Sequence, residues 1–191
     1  QHQLIRLDDV PAEAVTIRTA TAEDAPSIQG IYAPVVFDSF ASFEEIPPDV
    51  AEVARRMLAR PRLPWFVAQD ARRVVGYAYA SQHRERPGYR WSAEVSVYLD
   101  PGYHGRGIAR ALYERLIIEV TELGYVSIFA GIALPNHASV RLHEAVGFEP
   151  VGVFGHIGFK DGAWHDVGWW QRALRDLPVS PDEPREWTPA G

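Results

Sequence analysis

The sequence contains no cysteine, which excludes disulfides, thiolate zinc sites and a cysteine nucleophile together. It also lacks a basic tract or basic helix. Its 19 Lys and Arg are outnumbered by 25 Asp and Glu, for a net charge of −6, so no nucleic-acid partner is expected. Long apolar runs are missing too. The stretch from Leu123 to Val140 carries no Asp, Glu, Lys or Arg, yet its apolar part runs only from Tyr125 to Leu134 before Pro135-Asn136 ends it. That is half of the roughly 20 residues a membrane helix needs, and a buried strand is the better reading. Gln1 to Val10 is mixed and polar, with no signal-peptide core. A soluble, cytoplasmic protein without a membrane partner is expected. No His, Asp or Glu spacing matches a metal site, so no metal is expected either.

What is present fits one domain with a single sizeable core: 191 residues, 47% apolar and 23% charged. Val15 to Arg18 alternates as a strand, and Thr21-Ala22-Glu23-Asp24 carries capping-box chemistry for a helix to about Ala33, with a short second helical piece before Ser39-Phe40. A helix follows Pro47-Pro48-Asp49 and runs from about Val50 to Arg60. Trp65–Ala68 and Val74–Ala80 read as a hairpin, Trp91–Leu99 as a long central strand, Tyr125–Leu134 as the next strand. Val151–His156 and Trp164–Trp170 form a last hairpin around Lys160-Asp161-Gly162. Prolines at 178, 181, 184 and 189 predict a poorly ordered tail. The expected division is an N-terminal extension over 1–14, a domain over 15–175 and a Pro-rich tail over 176–191. Antiparallel runs mixed with helices give an α/β sheet flanked by helices.

The most informative segment runs from Val95 to Arg110. A β-branched strand passes through Asp100-Pro101-Gly102 into a helix that opens on Gly105 and Gly107. Glycines let the backbone approach a ligand, and the N–H groups of a first helical turn point at it, which makes an anion site. The helix from about Gly107 to Gly124 repeats Ile108, Leu112, Leu116, Val120 and Leu123 at helical spacing. The loop lacks the Lys-Ser/Thr ending of a nucleoside-triphosphate loop and the three-glycine spacing of a dinucleotide fold. Downstream, Asn136 to Phe148 reads as a short helix capped by Asn136 and closed by Gly147.

Together these segments resemble the GNAT superfamily of acetyl-coenzyme A-dependent N-acetyltransferases. His104-Gly105-Arg106-Gly107-Ile108-Ala109 stands at that family's pyrophosphate signature, with His104 in place of the usual Gln or Arg. Asn136 to Phe148 matches its Asn-x-x-Ser-x-x-Leu-Tyr-x-x-x-Gly-Phe element, with His143 where many members carry Tyr. Ile31–Val36, Gly76–Ala78, Tyr89–Tyr98 and Gly158–Val167 are similar to the phosphinothricin and methionine sulfoximine acetyltransferase subgroup. The resemblance covers about Val15 to Leu174. It implies a GNAT-type, mostly antiparallel mixed sheet, acetyl-CoA as co-substrate, a small amino-acid acceptor and a homodimer. With no cysteine, an acetyl-cysteine intermediate is closed and direct transfer in a ternary complex remains.

Acetyl transfer needs a base for the amine and stabilisation of the departing thiolate. On the central strand Glu94 lies on the polar face with Ser92, Ser96 and Tyr98, opposite Ala93, Val95, Val97 and Leu99. That pattern leaves Glu94 a solvated strand glutamate; the resemblance implies the general base. His143 is suited by its neutral-range chemistry to protonate the sulfur, or is a helix histidine satisfied locally. Val97, Tyr98 and Leu99 are expected to pair with the pantetheine arm, and Asn136 and Ser139 to border it. His104, Gly105, Arg106, Gly107, Ile108, Ala109 and Arg110 are the pyrophosphate candidates. For the acceptor the candidates are Arg84 and Arg86, in the polar loop Ser81–Gly88 that also holds His83, as a clamp for a carboxylate or phosphinate or else as solvated loop residues. Phe43, Tyr89 and Tyr98 are the candidate walls, with Ser92 as a further substrate-binding residue. Two alternatives stay open: a same-fold enzyme acting on another amine, and a non-catalytic acyl-CoA-binding module. His165-Asp166 without a nucleophile-elbow serine does not make a hydrolase.

Overall fold

A computed structural model describes residues 15–189; the expected N-terminal extension over 1–14 lies outside them. Seven strands form one sheet in the order β1-β2-β3-β4-β5-β7-β6. They are β1 Thr16–Thr19, β2 Trp65–Asp70, β3 Arg73–Gln82, β4 Ser92–Leu99, β5 Ser127–Leu134, β6 Glu149–Lys160 and β7 Ala163–Ala173. All neighbours pair antiparallel except β4 and β5. The helices are α1 Ala25–Asp38, α2 Val50–Met57, α3 Ile108–Glu122 and α4 His137–Ala145.

Helix α3 covers one face of the sheet. Its Leu112, Leu116 and Val120 recur every four residues, so they lie on one stripe, and all three are fully buried against Phe66, Val75, Ala93 and Ile128. Truncating such a leucine to alanine costs about 2–5 kcal/mol. Helices α1 and α2 cover the other face, where Ile28, Val53 and Met57 meet Trp65, Val67 and Tyr77. The Trp91-to-Leu99 alternation therefore divides as its period-two pattern requires. Ala93 and Val95 enter the α3 core, and Tyr98 packs with the α1–α2 cluster.

The parallel pair sets the site. β4 and β5 are in register only for Ser92↔Ser127, Ala93↔Ile128 and Glu94↔Phe129. Beyond Glu94 they diverge: Val95–Leu99 remain paired to β3, while Gly131–Leu134 pair with β7. A wedge therefore opens in the middle of the sheet, with Glu94 at its apex.

Two elements differ from the sequence expectation. The first helix is one continuous α1 across Pro34, not a helix and a separate piece. Pro34 removes one N–H from the ladder within the last turns of the helix, which nevertheless continues to Asp38. The tail is ordered through Pro189. Its backbone bonds Arg185 N–H to Leu123 O at 2.8 Å and Trp187 N–H to Arg62 O at 3.0 Å. Trp187 is buried in the α3-side core with its ring edge-on to Phe66, and Trp91 donates from Nε1 to Asp182 O at 2.8 Å. One large aromatic anchors a segment whose prolines alone predict disorder.

Candidate active site

The wedge opens into a cavity of about 620 Å³. Its walls are Val95–Leu99 on one side and Gly131–Ala133 on the other; the α3 N-terminus closes one end, and α4 and α1 close the rest.

At the α3 end, Gly105 and Gly107 both have φ in the left-handed region, +74° and +78°, and a Cβ built at either meets no protein atom within 4 Å. The conformation favours glycine there, and the space in front of both stays clear. Gly107 O accepts from Ala111 N–H at 3.0 Å, so the N–H groups of Ile108, Ala109 and Arg110 precede the first helical bond and lack an acceptor within the helix. With the positive end of the helix dipole this favours an anion. His104, Gly105, Gly107, Ile108, Ala109 and Arg110 line the cavity. Arg106 does not; its guanidinium lies over the Tyr103 ring at 4.8 Å. Arg110 is half-tied to Glu114 at 2.8 Å along its own helix.

Helix α4 supplies the opposite wall. Asn136 Oδ1 accepts from Ser139 N–H at 3.1 Å, capping the helix, and both residues border the cavity with Arg141. Arg141 escaped sequence reasoning because its place is set only by which face α4 turns inward. His143 is buried, and both its ring nitrogens are engaged. Nδ1 lies 2.7 Å from Ser139 O, and Nε2 lies 2.9 Å from Tyr113 Oη. A carbonyl can only accept, so Nδ1 carries the proton and the neutral ring receives Tyr113 O–H at Nε2. Burial pushes the His143 pKa down, outweighing the Ser139 bond, and burial pushes the Tyr113 hydroxyl up. The uncharged pair thus has its mobile proton on Tyr113, a cavity-lining residue absent from the sequence candidates. His143 itself has no spare proton to offer in this tautomer.

At the apex, Glu94 Oε1 lies 2.9 Å from His83 Nδ1 and 3.3 Å from Arg84 Nη1. Arg84 is therefore not a free carboxylate clamp but sits on Glu94, and Arg86 is exposed nearby. Tyr89 is exposed and meets the His83 ring edge-on; Ser92 is half-buried at the start of β4. Neither they nor Phe43 border the large cavity. Phe43 instead covers Gly158, where any Cβ would come within 2.4 Å of its ring.

The loop after α1 forms another wall, of which Ser39 and Ala41 line the cavity. The chain's one lysine holds it. Lys160 is buried, and its Nζ donates to Val36 O, Ser39 O and Ser42 O at 2.6, 2.8 and 2.7 Å. Three carbonyls, two of them at the negative end of α1, satisfy all three ammonium donors without a carboxylate. Tyr32 Oη adds bonds to Ser42 Oγ at 2.7 Å and Glu44 Oε1 at 3.0 Å, and burial pushes its pKa up to about 12. His165 stacks on Phe40 at 4.4 Å, and Asp166 accepts from His156 N–H at 2.7 Å. Both residues of the apparent dyad are spent on structure.

Among the described residues no three His, Asp or Glu side chains gather as a metal site, and no helix is long and apolar enough to cross a membrane. Residues 17–169 match the model of the acetyltransferase (GNAT) domain. The phosphinothricin N-acetyltransferase of Streptomyces viridochromogenes is 36% identical over 87% of this chain and 91% of that protein. The L-methionine sulfoximine/L-methionine sulfone acetyltransferase of Salmonella typhimurium is 34% identical over 88% and 99%. The crystal structure of a phosphinothricin acetyltransferase from Sinorhizobium meliloti in complex with acetyl-CoA superposes with a TM-score of 0.83, at 39% identity over 90% of this chain and 94% of that one. A cleft opened by diverging parallel strands, an anion-binding helix start and these likenesses converge: the chain belongs to the GNAT family of acetyltransferases.

Proposed function

We propose that this protein transfers an acetyl group from acetyl-CoA to the α-amino group of a small amino acid or analogue of the phosphinothricin and methionine sulfoximine type. The observation that carries the reading is the juxtaposition at the wedge: a glycine-opened helix start lines one end of the cleft, and the carboxylate of Glu94 stands on the last paired residue of β4, next to the lining residue Val95. Relatives that act on phosphinothricin and methionine sulfoximine support the acceptor class.

In this mechanism the pyrophosphate lies on the N–H groups of residues 105–110, and the pantetheine arm runs along the unpaired edge of Val97–Leu99 past Asn136 and Ser139. The Glu94 carboxylate takes one proton from the acceptor's ammonium. The freed nitrogen lone pair attacks the thioester carbon, the C–S bond breaks, and the sulfur leaves with the bonding pair. Tyr113 O–H gives its proton to the sulfur, His143 orienting the hydroxyl, and the second proton still carried by the acetylated nitrogen returns to the Tyr113 oxygen, leaving a neutral amide, a free thiol and the resting Tyr113–His143 pair. Arg84 and Arg86 bias the entrance toward anionic acceptors.

The protein works as a homodimer in the cytoplasm. The sheet edge supports the dimer: β6 is terminal, and its Val151, Val153, Phe154, Ile157 and Phe159 are each more than half exposed. An unpaired apolar edge invites pairing with another chain. A second copy of the chain is the occupant, and light scattering that gives a single-chain mass would remove it.

The functional test is thiol release from acetyl-CoA against a panel of amino acids, their analogues, a polyamine and a peptide amino terminus. Turnover concentrated on phosphinothricin, methionine sulfoximine and similar amino acids is expected. Turnover confined to the polyamine or peptide would assign another amine, and binding without thiol release would make the protein an acyl-CoA-binding module.

A further inference from the structure

Glu94 does not stand alone. β3 and β4 pair Ser81 with Glu94 and Gln82 with Ala93, so His83, one residue past the end of β3, is the diagonal neighbour of Glu94 on the same face. Its ring is fixed from three directions: Phe129 stacks on it at 4.8 Å, and Tyr89 and Trp169 meet it edge-on at 5.9 and 6.3 Å. The side chain is only 15% exposed. Nδ1 aims at Glu94 Oε1 at 2.9 Å, and since a carboxylate only accepts, Nδ1 carries the proton. Arg84 reaches the same oxygen at 3.3 Å from a side chain that is 54% exposed, while its Nη1 also donates to His83 O at 2.8 Å. Both donors converge on Oε1, and Oε2 makes no bond to any described residue.

We infer that His83 is the positioning residue of the acid–base centre: its Nδ1–H bond to Oε1 fixes the Glu94 carboxylate so that Oε2 is the oxygen presented to the acceptor's ammonium. The inference rests on the reading of Glu94 as the base. The physical reason is rotational. A glutamate carboxylate turns about χ3 with little preference, and an anchored oxygen removes that freedom before the acceptor arrives. Arg84 is a weaker anchor, because its bond is longer and its guanidinium is half in water. A purely packing role would be filled as well by phenylalanine, which stacks on Phe129 but has no N–H.

The two roles make opposite predictions for two substitutions. His83→Phe keeps the stack and deletes the donor; His83→Asn loses the stack but places an amide N–H near the position of Nδ1. Initial rates should show kcat reduced about ten- to a hundredfold in His83→Phe, with acetyl-CoA Kd unchanged and acceptor KM nearly so. His83→Asn should retain most of kcat. In a Glu94→Gln background, adding His83→Phe should change kcat by less than about twofold, because His83 acts only through the carboxylate. Near-normal kcat in His83→Phe, with impairment in His83→Asn, would make His83 an aromatic filler and overturn the inference while leaving Glu94 as base. Normal turnover by Glu94→Gln alone would instead remove the base itself.

Discussion

In the proposed mechanism the groups that face the coenzyme belong to the main chain. They are the free N–H groups at the start of α3, the strand edge of Val97–Leu99 and the capped start of α4. Those the mechanism assigns to the acceptor are side chains gathered from distant places: Glu94 on β4, His83 beyond β3, and a loop after α1 pinned by Lys160 from β6. Main-chain recognition depends on backbone conformation and on helix polarity, which a short motif can encode. Side-chain recognition depends on strand register and on contacts between segments far apart in the chain. The first is robust to most substitutions outside two glycines. The second can be retuned one residue at a time, which suits a fold that keeps one coenzyme and changes acceptors.

The sharpest way to break this contrast is at Gly107. Glu there would set a negative charge against the anion site and force a side chain onto a φ of +78°, a strain of about 1–2 kcal/mol. We expect acetyl-CoA affinity to fall more than about a hundredfold, by repulsion and lost approach, while circular dichroism reports a folded chain. Unchanged affinity by calorimetry would show that the main-chain loop is not the phosphate site.

Lys160→Met does the reverse. It leaves the α3 loop untouched and orphans the carbonyls of Val36, Ser39 and Ser42. Acceptor KM should rise about tenfold and the melting temperature fall, each lost charged bond being worth roughly 1.5–3 kcal/mol before relaxation, with acetyl-CoA Kd unaltered. Equal losses for both ligands would mean that the tripod supports the whole domain rather than the acceptor wall.

How much of this was legible followed the same division. The glycine loop, α3, α4 and the central strand are local patterns, and the sequence shows them. His83 sits in a polar loop with no local signal of its own, because its link to Glu94 needs the β3–β4 register. Lys160 looked like a turn residue, since nothing local says that its ammonium crosses to α1. Arg84 and Arg86 read as a clamp by composition; the fold puts one on Glu94 and leaves the other exposed. Trp187 was hidden by the prolines around it.

The two arginines carry a smaller effect. Replacing Arg84 and Arg86 by Ala should raise KM for an anionic acceptor about three- to tenfold, as expected for partly solvated charges, and should leave a neutral amine almost unaffected. The same change for both acceptors would return the loop to a solvated rim.

The smallest effect is an acid dependence of stability on the α1–α2 side. The Arg56 hydrogen bonds hold Glu44 below the ordinary carboxylate range. For Asp24, burial opposes ionisation, but the Arg18 and Thr21 bonds outweigh it and the pKa is also lowered. Depressed folded-state values mean that this stabilisation is complete above the unfolded pKa, about 4. It is lost as pH falls through the lower folded values. The fall in melting temperature should steepen as pH drops below about 4, and Arg18→Met should flatten the slope.

The most direct measurement is the pH–rate profile of Glu94→Gln with phosphinothricin or methionine sulfoximine as acceptor. Gln keeps the shape and can still accept from His83, but it cannot take the ammonium proton. With Glu94 as the base, kcat falls about 10²–10⁴-fold near neutral pH, acetyl-CoA Kd is unchanged, and the deficit narrows as pH rises and the amine arrives already deprotonated. Near-normal turnover at neutral pH, or a deficit of the same size at every pH, would contradict Glu94 as the base.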